Sequence, residues 1–533
     1  MSACEIHELT DERKIPATMS TQHPDNASLP NWCEKTVING DAEIYEAYYA
    51  YSQIGCHEVM WDSEGKDVDT RVVRKLLEKH ADFFREHQIG RDVFLTYRVP
   101  NPKIEGAEKK VFVETLYNIA VACDVASTFY KKEVAPIFEV ILPFTTDAKE
   151  LIWLYEYYRR TIAATEEVFL GENMKVKDWI GCIGPKSIEV IPLIEDFESI
   201  LNADKIVEPY IRVVKPRYLR VFIARSDPAL NYGVLCAVLL SKLALSKLKL
   251  LENKLGTKIY PILGVGTMPF RGHLSPENIE NFLDEYRGLS TVTVQSALKY
   301  DYPVEQVREC INVLNKMLPN GEPLLVDPAE EKKIVNVLKK SKQFYERVVE
   351  KLAPLINSVA SYVPARRTRR LHIGLFGYSR RVGNVVLPRA IPFAAALYSL
   401  GIPPELLGCR VFIELKEDEF KIVQKYYVNL KHDLYVAGGY VSLRNMEMIK
   451  DNYTRIAEKV HMKPEILKQA IDEVLNDLDV IEKNFGIKLG PRIYSMKKHE
   501  NFANNFLLSY IEGDEAGASN SLVDAAKIRR CLG

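Results

Sequence analysis

The sequence predicts an α/β fold, an eight-stranded (β/α)8 barrel of the TIM type with many additional helices. Three observations predict it. Short apolar, β-branched runs recur along the chain, and most are followed by a longer helical pattern. Continuous apolar strands alternating with helices imply a parallel sheet covered by helices. The runs number eight, which is the count that closes such a barrel. Most of them also end in charged residues, and in these barrels the carboxyl ends of the strands carry the active site.

In chain order the runs are CHEVMWD around Val59, VFLTYRV around Leu95, PIFEVILPF around Val140, SIEVIPLI around Val190, YLRVFIA around Phe222, KIYPILGVG around Ile262, STVTVQS around Val292 and LHIGLFG around Leu375. Trp61 and Asp62 end the first and Arg98 the second. Glu195 ends the fourth, and Arg225 and Asp227 the fifth. Arg271 and His273 follow the sixth, Gln295 and Lys299 the seventh, and Ser379, Arg380 and Arg381 the eighth. Any strand exit turns polar, but that does not account for arginine at so many exits beside so few carboxylates. Residues 1–55 read as an N-terminal arm and helix. Residues 56–390 read as the barrel, with a helical insertion at 326–361 between strands seven and eight, and 391–533 as a C-terminal helical region packed on it. The whole is expected to form one large domain.

With 533 residues and 47% hydrophobic composition, the chain can bury a sizeable core. It carries 71 Lys and Arg against 72 Asp and Glu, so no global basic field exists to hold nucleic acid or an anionic membrane. The opening MSACEIHELTDERK is polar and charged, unlike a signal peptide. The most apolar stretch, YGVLCAVLLSKLALSKLKLL, is broken by lysines and reads as a buried amphipathic helix rather than a membrane span. The 9 cysteines are scattered without a C-x-x-C pair. That argues against a zinc ribbon or disulfide framework and for a reducing, cytoplasmic setting.

Two constellations carry chemistry. If Glu195 and Asp227 sit at neighbouring strand exits, they face one mouth, and one or two carboxylates with open positions suit Mg²⁺ or Mn²⁺. Equally, Ser226 or Asp227 could cap a helix with Pro228 at its first position, and Glu195 or Asp196 could be a first-turn acid facing a helix dipole. The residues leave both readings open. Arg271, Arg380, Arg381 and Arg389 form the second constellation, because the planar guanidinium fork suits a phosphate-carboxylate substrate. PARRTRRLHIG adds four more arginines, which read as a solvated or inter-helix charge cluster. As a nucleic-acid patch the run lacks interleaved aromatics. GVGTMP lacks the third glycine of a dinucleotide fingerprint, and no Walker-type loop is present. His23 stands in KIPATMSTQHPDNASLP, where Pro24-Asp25-Asn26 is good turn chemistry. It precedes the first expected strand and so belongs to the arm.

ATMSTQHPDN strongly resembles the N-terminal signature of the archaeal-type phosphoenolpyruvate carboxylases, and the resemblance covers most of the chain. VIPLIED and ARSDPALNYG look like the segments that supply the family's two metal-binding carboxylates, matching Glu195 and Asp227. GYSR and LPRAIPF are similar to the segments that place arginines on the substrate, matching Arg380 and Arg389, and STQHPDN corresponds to the stretch whose histidine is catalytic, matching His23. PFRGHLSPEN stands where the larger enzymes carry F-H-G-R-G-G, which makes Arg271 and His273 substrate-side candidates together with Arg98 and Arg381. The resemblance implies a barrel of the phosphoenolpyruvate/pyruvate kind. It also implies that phosphoenolpyruvate and bicarbonate give oxaloacetate and phosphate through carboxyphosphate and a metal-bound enolate. It further implies Mg²⁺ or Mn²⁺, an anaplerotic role, a homotetramer and a cytoplasmic location. Two other readings compete: a metal-dependent 2-oxo-acid aldolase or lyase, and a non-catalytic RNA-binding protein using the arginine run.

Overall fold

The computed structural model describes residues 14–22, 25–370, 372–376 and 380–533. Eight parallel strands close a barrel in chain order: β1 Thr18–Thr21, β2 Glu58–Asp62, β3 Phe94–Arg98, β4 Glu139–Leu142, β5 Glu189–Ile194, β6 Tyr218–Ala224, β7 Lys258–Gly264 and β8 Thr291–Val294. β1 pairs with both β2 and β8, which completes the closure. Helices fill the crossovers, among them Lys110–Tyr130 and Val234–Leu255, and the helix Pro328–Ala360 with the C-terminal helices packs outside them. Lys110–Tyr130 is long and apolar enough to cross a membrane, yet here it buries Phe112, Leu116 and Ile119 in the main core as the β3–β4 crossover. Val234–Leu255, the expected amphipathic helix, is buried on nearly every side from Val234 to Leu248.

The strand count agrees with expectation, but the identity of the strands shifts by one. The run around Leu375 forms no strand among the described residues 372–376. Its place in the barrel is taken by Thr18–Thr21, in the segment expected to be an arm. The reason is closure. TMST is short and mostly hydroxyl-bearing, so it lacks an apolar signal, yet it has a partner on each side, with Met19 in register with Glu58 and with Thr293. The barrel strands therefore run from residue 18 to residue 294, not within 56–390, and Pro328–Ala360 follows the last strand instead of interrupting the barrel. His23 and Pro24 lie outside the described residues, as does Ser379. β1 ends at Thr21, so the segment Thr18–Thr21, expected in the arm, belongs to the barrel. Cys33, Cys56, Cys123, Cys236, Cys310, Cys409 and Cys531 are free thiols, while Cys182 is disulfide-bonded, against the expectation for scattered cysteines.

Alternation along the strands sorts side chains into the barrel and onto the helices. In β6, Leu219, Val221 and Ile223 join the outer core, while Phe222 and Ala224 face inward with Met19, Met60, Ile141, Ile191, Leu193 and Ile262. Below this apolar layer lies a charged floor. Arg220 donates to Glu58 at 2.9 and 2.7 Å, to Glu139 at 2.7 Å and to Thr291 at 3.1 Å. All three ionic side chains are buried. A buried pair is tolerated only when its charges and hydrogen bonds are matched. Arg220→Met leaves Glu58 and Glu139 facing each other without a counter-charge. It is expected to cost about 3–5 kcal/mol, read as a lower denaturant midpoint, while the cavity at the other end of the barrel keeps its ligand affinity.

Candidate active site

A cavity of about 480 Å³ opens at the carboxyl ends of the strands. Its walls combine Thr21 from β1, Arg98 from β3, Glu195 after β5, Asp227 after β6 and Gln295 after β8. A roof comes from beyond the barrel, from the stretch Val363–Arg367 with Arg369, and from Arg380 and Arg389. Met60, Leu193, Phe222 and Ala224 make its apolar base.

The two carboxylates separate cleanly from helix capping. Asp196, not Glu195, caps the short helix Phe197–Leu201, accepting the Ser199 N–H at 3.0 Å. Glu195 is left to the cavity, where one oxygen accepts the Phe144 N–H at 2.8 Å. Burial, then the charge of Asp227, pushes the Glu195 carboxyl up to about 8 against the opposing pull of Arg98. The helix Ser226–Tyr232 has no side-chain cap. Asp227 sits in its first turn and accepts both arms of Arg380 instead, at 3.0 and 2.9 Å. Among the described residues no group of three or more His, Cys, Asp or Glu could hold a metal. A two-carboxylate set fits a hard divalent ion that keeps waters or takes substrate oxygens, and the raised Glu195 carboxyl beside a second carboxylate is a place where a cation is favoured.

The arginines at the mouth fall into two classes. Most are committed. Arg98 gives its fork to its register partner Asp62 at 2.6 and 2.5 Å and reaches Glu64 at 3.2 Å. Lys66 also pairs with Asp62, so the two cations hold that buried carboxyl far below its usual range. Arg225 is spent on Tyr286 and the Phe270 and Pro269 carbonyls. Arg271 lines the cavity, but its donors go to Asp25 at 2.7 Å, the Gly533 carbonyl at 3.0 Å, Ser226 at 3.1 Å and Gln295. Gly272 makes this possible: it holds φ at 113°, where an added Cβ would lie 2.7 Å from Val265. Arg380 faces the mouth as expected, yet its fork is occupied by Asp227 rather than open to a ligand. Arg389 is different. Its Nε and Nη1 are buried without a hydrogen-bond partner, and burial together with the neighbouring Arg380 lowers its pKa to about 10.

Two expected substrate residues are elsewhere. His273 is absent from the cavity wall. Its Nδ1 pairs with Asp433 at 2.5 Å and its ring stacks on His432, because the 3-10 turn Pro269–Arg271 sends it toward the C-terminal helices. Arg381 is exposed in a small hairpin, Arg381–Val382 with Val385–Val386, and does not line the cavity either. Thr21, Glu64 and Arg369 line the cavity without having been singled out for it. Glu64 was legible in principle, two residues past a strand exit; Thr21 was not.

The sequence profile of phosphoenolpyruvate carboxylase matches residues 15–533. The chain belongs to the phosphoenolpyruvate carboxylase family. It is 47% identical over 521 residues to a phosphoenolpyruvate carboxylase of Metallosphaera sedula, covering 98% of this chain and 100% of that one. It is 46% identical over 521 residues to one of Caldivirga maquilingensis, with the same coverage. It is also 46% identical over 522 residues to one of Picrophilus torridus, covering 97% of this chain and 99% of the relative. Among the described residues that line the cavity of this carboxylase, Arg389 keeps two buried guanidinium donors without a protein partner.

The contrast between Arg389 and Arg271 is measurable. Arg389→Lys keeps the charge and loses the fork. It is expected to lower kcat/KM by an amount equivalent to about 2–4 kcal/mol with no fall in thermal midpoint, since no protein partner is lost. Arg271→Ala leaves Asp25 buried and unpaired, so it is expected to cost about 3–5 kcal/mol of stability. Equal stability losses in the two variants would erase the distinction.

Proposed function

We propose that the chain carboxylates phosphoenolpyruvate in this cavity with Mg²⁺ or Mn²⁺ held by Glu195 and Asp227. The observation that carries the reading is the pair of buried, unpartnered donors on Arg389, in the same cavity as the carboxylates of Glu195 and Asp227. A bicarbonate oxygen attacks phosphorus and the bond from phosphorus to the enol oxygen breaks, giving carboxyphosphate and the enolate of pyruvate. Arg389 holds the phosphoryl oxygens through this step, where charge-assisted donors already in place are worth most. Arg98, held by Asp62, lines the same space. Carboxyphosphate then loses a proton and splits into CO₂ and phosphate, and the enolate carbon bonds to CO₂ to give oxaloacetate. Met60, Leu193, Phe222 and Ala224 present no proton donor to that carbon, which disfavours protonation to pyruvate. The divalent ion would supply positive charge for the oxygen that is freed from phosphorus.

His23 is our choice for the base that takes the carboxyphosphate proton, a role suited to a neutral imidazole near pH 7. Its chain neighbours support this: Thr21 lines the cavity, and Asp25 bonds Arg271, which lines it too. We further propose a cytoplasmic, anaplerotic homotetramer, as the family resemblance implies.

Bicarbonate-dependent release of phosphate with formation of oxaloacetate is the decisive assay, and neither an aldolase nor an RNA-binding protein would show it. Chelation of divalent ions, and Glu195→Gln, are each expected to bring turnover to background. Glu195→Gln removes a buried carboxylate of raised pKa, so its thermal midpoint should not fall, and full turnover in it would remove Glu195 from the metal site. His23→Asn is expected to stop oxaloacetate formation while a slow, bicarbonate-dependent release of phosphate continues with pyruvate as product. Wild-type oxaloacetate yield in that variant would remove His23 from the mechanism.

A further inference from the structure

Of the two expectations for the arginine run Arg366, Arg367, Arg369 and Arg370, a solvated or an inter-helix charge cluster, the structure favours the buried one, as an anchored strap. Its backbone forms bridges from Arg367 to Ile38 and from Arg369 to Lys66. Three of its side chains are buried and point into the protein. Arg366 donates to the Ala27 carbonyl at 3.2 Å, Arg367 pairs with Glu43 and Glu46, and Arg370 donates to the Ser63 carbonyl at 2.5 Å and faces Glu108 at 3.3 Å. Arg369 alone of the four has neither a side-chain hydrogen bond nor an ion pair among the described residues, and it lines the cavity beside Arg389 and Arg380. Such an arrangement presents one guanidinium at the cost of anchoring three.

We propose that Arg369 is a substrate-binding residue that grips the phosphoryl group together with Arg389. The proposal rests on the carboxylase reading of the cavity. A phosphoryl dianion offers three equatorial oxygens and can accept two forks at once, whereas a carboxylate is filled by one. Arg380 and Arg98 already hold carboxylates, Asp227 and Asp62, and Arg366 is tied to the Ala27 carbonyl, so the cavity arginines with no side-chain partner among the described residues are Arg389 and Arg369. Their environment agrees. Burial, and then the proximity of Arg389, lowers the pKa of Arg369 to about 9, the mark of a cation whose counter-charge is not supplied by the protein. Asp62 and Glu64 offset this only in part.

The test is equilibrium titration of the full chain with phosphoenolpyruvate, with inorganic phosphate and with pyruvate, in wild type, Arg369→Gln, Arg369→Lys and Arg370→Gln. Arg369→Gln is expected to bind phosphoenolpyruvate and inorganic phosphate about 10–100-fold more weakly, the loss typical of a hydrogen bond to a charged group. Its pyruvate affinity and thermal midpoint should stay at wild-type values. Arg369→Lys should recover part of the phosphate affinity. Arg370→Gln, an anchor, should lose stability instead. Wild-type phosphate affinity in Arg369→Gln overturns the proposal, as does a loss confined to pyruvate or a fall in thermal midpoint equal to that of Arg370→Gln. If wild-type protein itself binds neither phosphoenolpyruvate nor phosphate, the carboxylase reading fails and takes this proposal with it.

Discussion

The mouth of the barrel is held together by one buried guanidinium. Arg271 joins four parts of the chain that are remote in sequence: Asp25 after β1, Ser226 after β6, Gln295 after β8 and the carbonyl of Gly533. A charge taken out of water must find matched partners or it is expelled. That requirement turns a local electrostatic need into a constraint on the closure of the barrel. Asp25 adds to it, accepting from Ser296 and from the Ala297 N–H at 3.0 Å, so the segment after β1 is tied directly to the exit of β8. The strand with the weakest sequence signal is therefore the one with the strongest polar tether at its exit.

Charge is sorted around this tether in a way that decides which groups are available for chemistry. Every arginine at the mouth is costly to bury. Arg98, Arg225, Arg271 and Arg380 recover that cost through protein partners, two of them through bidentate carboxylates. Arg389 and Arg369 do not. Buried protein donors left unmet favour an anionic ligand, because the ligand supplies what the fold withheld. Because Arg380 is paired with Asp227, the proposed cation between Glu195 and Asp227 would draw on the same carboxylate as the Arg380 fork.

Sequence reasoning failed where pairing partners, not residue types, set the structure. LHIGLFG has the apolar character of a strand, yet the barrel was already full when the chain reached it, since eight strands precede residue 295. TMST has no such character and is a strand because β2 and β8 flank it. His273 and Arg271 are two residues apart, but the left-handed turn at Gly272 sends one to Asp433 and keeps the other at the mouth. The arginine run shows the same limit from the other side: identical residue types became three anchors and one cavity cation, and nothing local distinguishes them.

What the sequence determined by itself was the class and the chemistry. Alternating apolar strands and helical patterns are local, periodic signals, and they specify a (β/α)8 barrel because hydrophobic burial depends on pattern. The carboxylates at 195 and 227 were legible because strand exits of such a barrel converge on one mouth, and the arginine at 389, which comes from beyond the barrel, was legible as a residue type suited to an anionic substrate. Tertiary structure alone decided which strand opens the barrel, which arginines are spent and which are free, and that Asp196 rather than Glu195 caps its helix. The physical reason is that a buried charge is settled by the partner within about 3 Å of it, and in this chain that partner is often more than a hundred residues away, as for Arg271 with Asp25 and Arg380 with Asp227.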